Sequence, residues 1–167
     1  MNKSKLTIER LKELLTYNPE TGLFTWNVDR GGRAKKGSKA GALSHSGYVY
    51  ISIDRKTVLA HRIAWMMVHG EMPDKHVDHI NGDRTDNRIA NLRLAVRSQN
   101  NANAKLRKDS GSGFKGVTFS KQMQKWVGQI RVNGRLIYLG SYRTPEEAHA
   151  AYLMAAEVHF GEFARAA

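Results

Sequence analysis

Residues 77–103 read VDHINGDRTDNRIANLRLAVRSQNNAN. Asp78 and His79 are adjacent and stand just ahead of a turn-forming pair, Asn81 and Gly82. Consecutive residues of a strand face opposite ways, a constraint that a strand end or a loop relaxes. One carboxylate and one imidazole on a basic protein can bind a hard cation and activate water. Ser98 can cap a short helix beginning at Gln99, which puts Asn100, Asn101 and Asn103 on its first turns. An amide oxygen from that set could complete a metal site. Oxygen donors without a thiolate suit magnesium or manganese rather than zinc. The same residues also fit a plain polar loop, because NG, DR and DN clusters are ordinary turn chemistry.

Outward from this stretch, the N-terminal side alternates patterned and basic segments. Residues 7–16 place Ile8, Leu11, Leu14 and Leu15 on one helical stripe, with Thr7 as a cap. The segment YNPETGLFTW (17–26) is a turn at Pro19 and Gly22 followed by a short strand, and reads as a small packing motif. RGGRAKKGSKAG (30–41) has no core pattern and is expected as a flexible basic loop, with Arg33, Lys35 and Lys36 placed to meet phosphates. GYVYISIDRKTVLA (47–60) reads as two strands around a turn at residues 54–56. HRIAWMMVHG (61–70) reads as a helix with Ile63, Ala64, Met67 and Val68 on one side and Gly70 as the stop.

On the C-terminal side, RKDSGSG (107–113) has no apolar residue and is expected as a boundary. Three strand-like segments follow, at 113–119, 125–132 and 135–141, with Asn133 and Gly134 as a hairpin turn. Thr144, Pro145 and Glu147 open a helix with a capping box. That helix carries Ala148, Ala151, Tyr152 and Ala155 at helical spacing, small enough to lie close on a sheet. Period 2 sends Trp126, Gly128 and Ile130 toward the helix, so Trp126 is expected as a core aromatic, and sends Val127, Gln129 and Arg131 the other way.

The chain has 167 residues, 27 Lys and Arg against 15 Asp and Glu, and a formal net charge of +12. Residues 1–109 contribute +9 and residues 110–167 contribute +3, so both parts favour a polyanion, and nucleic acid is the usual one. There is no cysteine, which excludes a disulfide framework, a thiolate zinc site and a cysteine nucleophile. The start is too polar for a signal peptide, and no run of about 18 apolar residues exists to span a membrane. A soluble protein without a membrane partner, and not secreted, is expected.

The stretch 77–103 resembles the HNH nuclease family, and specifically the HNH homing endonucleases of bacteriophages. The family pattern is an Asp-His pair, an Asn before a Leu, and a final His or Asn on a helix, within a ββα-metal fold. Asp78 and His79, Asn91 and Leu92, and Asn100 stand in those places. These pairings select His79 over His76 and Asn91 over Asn87. The resemblance implies that His79 is the general base and that Asp78 and Asn100 bind one divalent metal, Mg2+ or Mn2+. It implies that Asn91 braces the loop and holds His79 in orientation. Products would carry 5′-phosphate and 3′-hydroxyl ends. A bacterial host cytoplasm would be the setting.

Residues 113–164 resemble the AP2 DNA-binding domain through GFKGV (113–117), KWVGQIR (125–131), IYLGSY (137–142), TPEEAHAAYLMAA (144–156) and HFGEFA (159–164). In that family a three-stranded sheet enters the major groove. By position the reading residues would be Lys115, Thr118, Ser120, Gln129, Arg131 and Tyr138. Plant members place arginines where Thr118, Ser120 and Leu136 stand, so their target sequence does not transfer. The resulting expectation is an α+β chain. It comprises an N-terminal helix, hairpin and basic loop (1–46), a ββα-metal nuclease module (47–106), a linker (107–112) and an AP2-like sheet packed on one helix (113–167). Its expected activity is metal-dependent cutting of double-stranded DNA by a monomer or weak dimer. The rival is a non-catalytic DNA-binding regulator on an HNH scaffold, against which the intact Asp78, His79, Asn91 and Asn100 set counts.

Overall fold

The computed structural model describes residues 6–32, 34–106 and 110–165. Arg33 and part of the expected linker, 107–109, lie outside the described residues. The chain is a mixed α and β protein that divides into two compact units, Met1–Leu94 and Ala95–Ala167.

The first unit opens with α1 (Ile8–Leu14), capped by Thr7, whose Oγ1 accepts from Arg10 N at 3.2 Å. The helix ends where the chain turns extended at Leu15. There β1 (Leu15–Tyr17) pairs antiparallel with β2 (Phe24–Trp26), and β2 pairs with β3 (Lys39–Ala40). A second sheet joins β4 (Ala42–Leu43), β5 (Val49–Ile53) and β6 (Lys56–Leu59). Asp54 and Arg55 make the β5–β6 turn at φ 47° and 64°, the signature of a type I′ hairpin. Neither residue is a glycine, and Arg10 of α1 grips the Asp54 carboxylate with two hydrogen bonds of 2.9 and 3.0 Å. Along β5 burial alternates, with Ile51 and Ile53 both fully buried and Ser52 between them exposed.

Next, α2 (Ala60–His69) ends at Gly70 as expected, but its buried face differs. Ala60, His61, Ile63, Ala64 and Met66 are inside, whereas Val68 is exposed. Then β7 (His76–His79) and β8 (Leu92–Ala95) form a two-stranded sheet, with a 3-10 turn (Ile89–Asn91) leading into β8. One core unites Leu11, Leu15, Phe24, Ile51, Ile53 and Ile63 with Val77 and Leu92. Each such side chain contributes about 1.5–3 kcal/mol by leaving water. The N-terminal hairpin and the β7–β8 sheet therefore share one core.

The second unit begins with α3 (Arg97–Asn103), which starts earlier than the expected Gln99. Ser98 does not cap it. Val96 holds the cap position and its N–H donates to Gln99 Oε1 at 2.9 Å, while Ser98 Oγ donates to Asn133 Oδ1 at 3.3 Å. The strands β9 (Val117–Ser120), β10 (Lys125–Val132) and β11 (Arg135–Tyr142) form an antiparallel sheet with β10 in the middle. Against it lies α4 (Pro145–Phe160), with the expected capping box. Thr144 Oγ1 accepts from Glu147 N at 3.2 Å, and Glu147 Oε2 accepts from Thr144 N at 3.3 Å. Its buried row is Ala148, Tyr152, Ala156 and Phe160, one residue every four. Gly116 is at φ 69°, and a Cβ there would run into the Tyr152 ring and stand 2.6 Å from Gln129 O. Trp126, expected in the core, is instead half-buried and meets the exposed Phe119 edge-on, with ring centroids 5.0 Å apart.

Candidate active site

The strand β7 brings three consecutive buried residues, Val77, Asp78 and His79, behind an exposed His76. Asp78 pairs with Arg93 of β8, Oδ2 to Nε, at 3.1 Å. Side-chain exposure is 7% for Asp78 and 11% for Arg93, so this is an interior ion pair. Sequence reasoning missed Arg93, whose alternation with Leu92 gave no sign that it would point at Asp78.

His79 is 4% exposed, and its Nε2 lies 3.1 Å from Asn87 Oδ1. The orientation of the Asn87 amide follows from its other end, because Nδ2 donates to Thr85 O at 3.2 Å. The amide oxygen is then the atom facing His79, and an oxygen can only accept. So His79 carries its proton on Nε2 and its lone pair on Nδ1. Burial pushes the His79 imidazole below its ordinary value, against the upward pull of the Asn87 hydrogen bond and of Asp78, Asp83 and Asp86. The net shift favours the neutral ring.

Asn91 does different work. Its Oδ1 accepts from Asn81 N at 3.0 Å, and its Nδ2 donates to Asn81 Oδ1 at 3.0 Å and to Asp86 O at 2.8 Å. Asn81 N–H in turn opens a loop cross-tied by Asp83 to Thr85 and by Asp86 to Arg88. Asn91 thus holds the loop, and the side chain seen on His79 is that of Asn87, which sequence reasoning had set aside. Asn100 is carried by α3 of the second unit.

The His79 ring also packs edge-on against His61 of α2, centroids 4.9 Å apart, and lies 6.0 Å from Tyr48. Arg84 covers Tyr48 at 4.7 Å and donates to Ser46 O at 2.7 Å. His61 is 4% exposed, and its Nδ1 has no hydrogen-bond partner among the described residues. Burial first, then the neighbouring His79 and Arg62, pushes His61 down to about 3. The unfolded chain therefore binds a proton at His61 below about pH 6.5 that the folded chain refuses, and stability falls as pH drops. The expected slope from this group approaches about 1.4 kcal/mol per pH unit below that point. Urea unfolding between pH 7.5 and 4.5 checks it, a window above the depressed carboxylates Asp54, Asp83 and Asp86. His61→Leu should flatten the curve, and an unchanged slope in that variant would refute the assignment.

In the basic loop, Lys35 and Lys36 are exposed. The loop is tied by its backbone, with Asp29 Oδ1 accepting from Lys36 N at 2.8 Å and Arg30 N donating to Ala34 O at 2.8 Å. In the second unit the sheet brings four of the expected reading residues onto one face. Gln129 pairs with Tyr138, Arg131 pairs with Leu136, and Gln129 Nε2 donates to Thr118 Oγ1 at 3.2 Å. Tyr138 and Leu136 are 59% and 55% exposed. Arg131 is exposed and donates to Gly134 O of its own turn at 2.9 Å. Ser120 accepts from Met123 N at 3.3 Å. Lys115 has another employment. Its ammonium is half-buried and donates to Ala102 O at 3.0 Å and Arg165 O at 2.9 Å, and burial pushes it down to about 8.

Residues 58–102 match the family model described as HNH endonuclease. The chain is 33% identical over 106 residues to "Protein 3.8" of Escherichia phage T7, covering 63% of this chain and 87% of that protein. It is 34% identical over 124 residues to "Uncharacterized HNH endonuclease L560" of Acanthamoeba polyphaga mimivirus, covering 73% of this chain and 63% of that one. The chain carries an HNH endonuclease domain. The HNH match begins within β6 and runs through β7, the Asn91 loop, β8 and most of α3, so it contains Asp78, His79, Asn87, Asn91 and Asn100. These matches support a nuclease of the HNH type, and among the described residues no helix is long and apolar enough to cross a membrane.

Proposed function

We propose that this HNH nuclease is a metal-dependent DNA endonuclease in which His79 Nδ1 takes the proton from the water that attacks a scissile phosphate. The observation that supports this reading is the Asn87 amide oxygen on His79 Nε2, which favours the tautomer with its proton on Nε2. Asp78 would be one ligand of the metal, and the family resemblance implies Asn100 as another. Among the described residues there is no cluster of three His, Asp or Glu side chains. A carboxylate and an amide oxygen, completed by water and phosphate oxygens, suit Mg2+ or Mn2+. When bound, the metal would neutralise charge developing on the phosphate and on the leaving 3′ oxygen. Asn91 keeps the loop closed behind the base, and Arg93 keeps the Asp78 carboxylate in place.

The face bearing Thr118, Gln129, Arg131 and Tyr138 would bind the duplex in the manner of an AP2-like sheet, with Arg131 the best placed to read a guanine edge. Lys115 is left out of that set because its ammonium serves two main-chain carbonyls. Tethering a reader to a weak catalytic module raises the local concentration of the cutter at its target. A phage homing or free-standing endonuclease fits this design and the phage and viral relatives.

The test uses a pool of supercoiled plasmids carrying randomised inserts, incubated with the full chain with Mg2+ or with a chelator. The expected result is conversion of part of the pool to open-circle or linear DNA only with metal. Plasmid that is bound and retarded but never cut, with either Mg2+ or Mn2+, would favour the regulator.

A further inference from the structure

The β1–β2 hairpin does not merely pack beside the nuclease loop. It fastens the backbone on both sides of Arg88. Tyr17 Oη donates to Asn87 O at 2.7 Å, across 70 residues of chain. Ile89 N donates to Pro19 O at 3.1 Å. Gly22 sits against the same segment, where a Cβ would stand 2.5 Å from Arg88 N and 2.6 Å from Asn87 C. Its φ of 71° is also one that a side chain would strain.

The turn that makes these contacts is itself fixed. Asn18 Oδ1 accepts from Glu20 N at 2.9 Å and from Thr21 N at 3.0 Å, and Gly22 N donates to Asn18 O at 2.8 Å. The Tyr17 ring stacks on the buried Phe24, centroids 4.7 Å apart, so its hydroxyl has little freedom. The residues of YNPETG thus have directional tasks: a hydroxyl donor, an Asx cap, a carbonyl acceptor and a position without a side chain. A segment that served only to bury surface would need none of them.

What they hold is the residue that orients the base. Asn87 is 3% exposed, its main chain is held by the hairpin and its side chain meets His79. We propose that the hairpin turn belongs to the catalytic apparatus, with Tyr17 and Gly22 as positioning residues that keep the Asn87 amide on His79 Nε2. The inference rests on His79 as the base, as argued above. A shift of Asn87 by about 1 Å would break its hydrogen bond to the imidazole and let the proton move to Nδ1, where it would block the attack.

Tyr17→Phe keeps the stacked ring and removes only the hydroxyl. In the full chain it should lower the single-turnover cleavage rate roughly tenfold while the apparent Kd for duplex DNA stays the same. In an Asn87→Ala background it should cost nothing more, because the effect passes through Asn87. Gly22→Ala should act in the same direction. Nitrogen-15 spectra of the imidazoles give a readout independent of cutting, with His79 in the Nε2–H form in the wild type and mixed in Tyr17→Phe. Effects of Tyr17→Phe and Asn87→Ala that multiply, or a His79 spectrum unchanged in Tyr17→Phe, would overturn the inference. If His79→Ala cut normally, the reading of the base would fall instead, while the spectra would still decide whether Tyr17 holds the ring.

Discussion

His79→Ala is expected to cut about a thousandfold more slowly than the wild type, since a positioned general base contributes roughly 10²–10⁴ in rate. Binding of DNA should be unchanged, because the residues proposed to meet the duplex are other, exposed ones and His79 is buried. The pH profile sharpens the expectation. A base works only when unprotonated, and burial holds the His79 imidazole below its ordinary value near 6.5. The wild-type rate should therefore persist below pH 6.5 and fall only at lower pH, on the acid side of the profile. Asn87→Ala retains the imidazole but releases its orientation and removes a hydrogen bond that favours the charged ring. Its rate should drop less than in His79→Ala, and its acid limb should move to still lower pH. Single-turnover rates from pH 5 to 8 on a cleaved plasmid check all three. A His79→Ala protein that cuts at the wild-type rate would remove His79 from the chemistry.

How much of this was legible in the sequence depends on the distance over which each residue acts. The β5–β6 and β10–β11 hairpins, the Gly70 stop and the α4 capping box are local, and local patterns announce them. The roles of Asn87 and Asn91 are not separable by spacing, because both sit in the same polar loop and both bond to it. Only the three-dimensional path shows that Asn91 turns its amide to Asn81 and Asp86 while Asn87 turns its own to His79. YNPETG looks like a packing motif in the sequence since its partners, Asn87 and Ile89, are some 70 residues away. Alternation assigned Trp126 to the helix side of its strand. It could not tell that the burial of that side runs out before Trp126, which meets exposed Phe119 instead. Lys115 has the charge of a phosphate ligand, and nothing near it in sequence reveals the carbonyls of Ala102 and Arg165. Val96 at the cap of α3 shows the converse, a helix beginning without the side chain that usually marks a start.

Arg93→Met should lower the unfolding free energy by about 3 kcal/mol, as expected when one partner of an interior ion pair is removed and the other stays buried. Asp78→Asn should also destabilise, by roughly 1–3 kcal/mol, because it leaves the Arg93 guanidinium without its counter-charge at Nε. Both residues have further interactions, so neither single variant isolates the pair. The double variant does: its loss should fall short of the sum of the two, with a coupling of about 1–3 kcal/mol. Urea unfolding of the four proteins measures it, and strict additivity would show that the 3.1 Å contact contributes no coupling. The same cycle separates the two tasks of Asp78. If the carboxylate only held the fold, cutting in each variant should follow that variant's stability. If the carboxylate is needed at the phosphate, cutting stays lost in every variant that lacks it, however stable the protein becomes. Loss of cutting without a matching loss of stability is the outcome expected here, because Arg93 keeps in position a carboxylate whose chemistry it cannot replace.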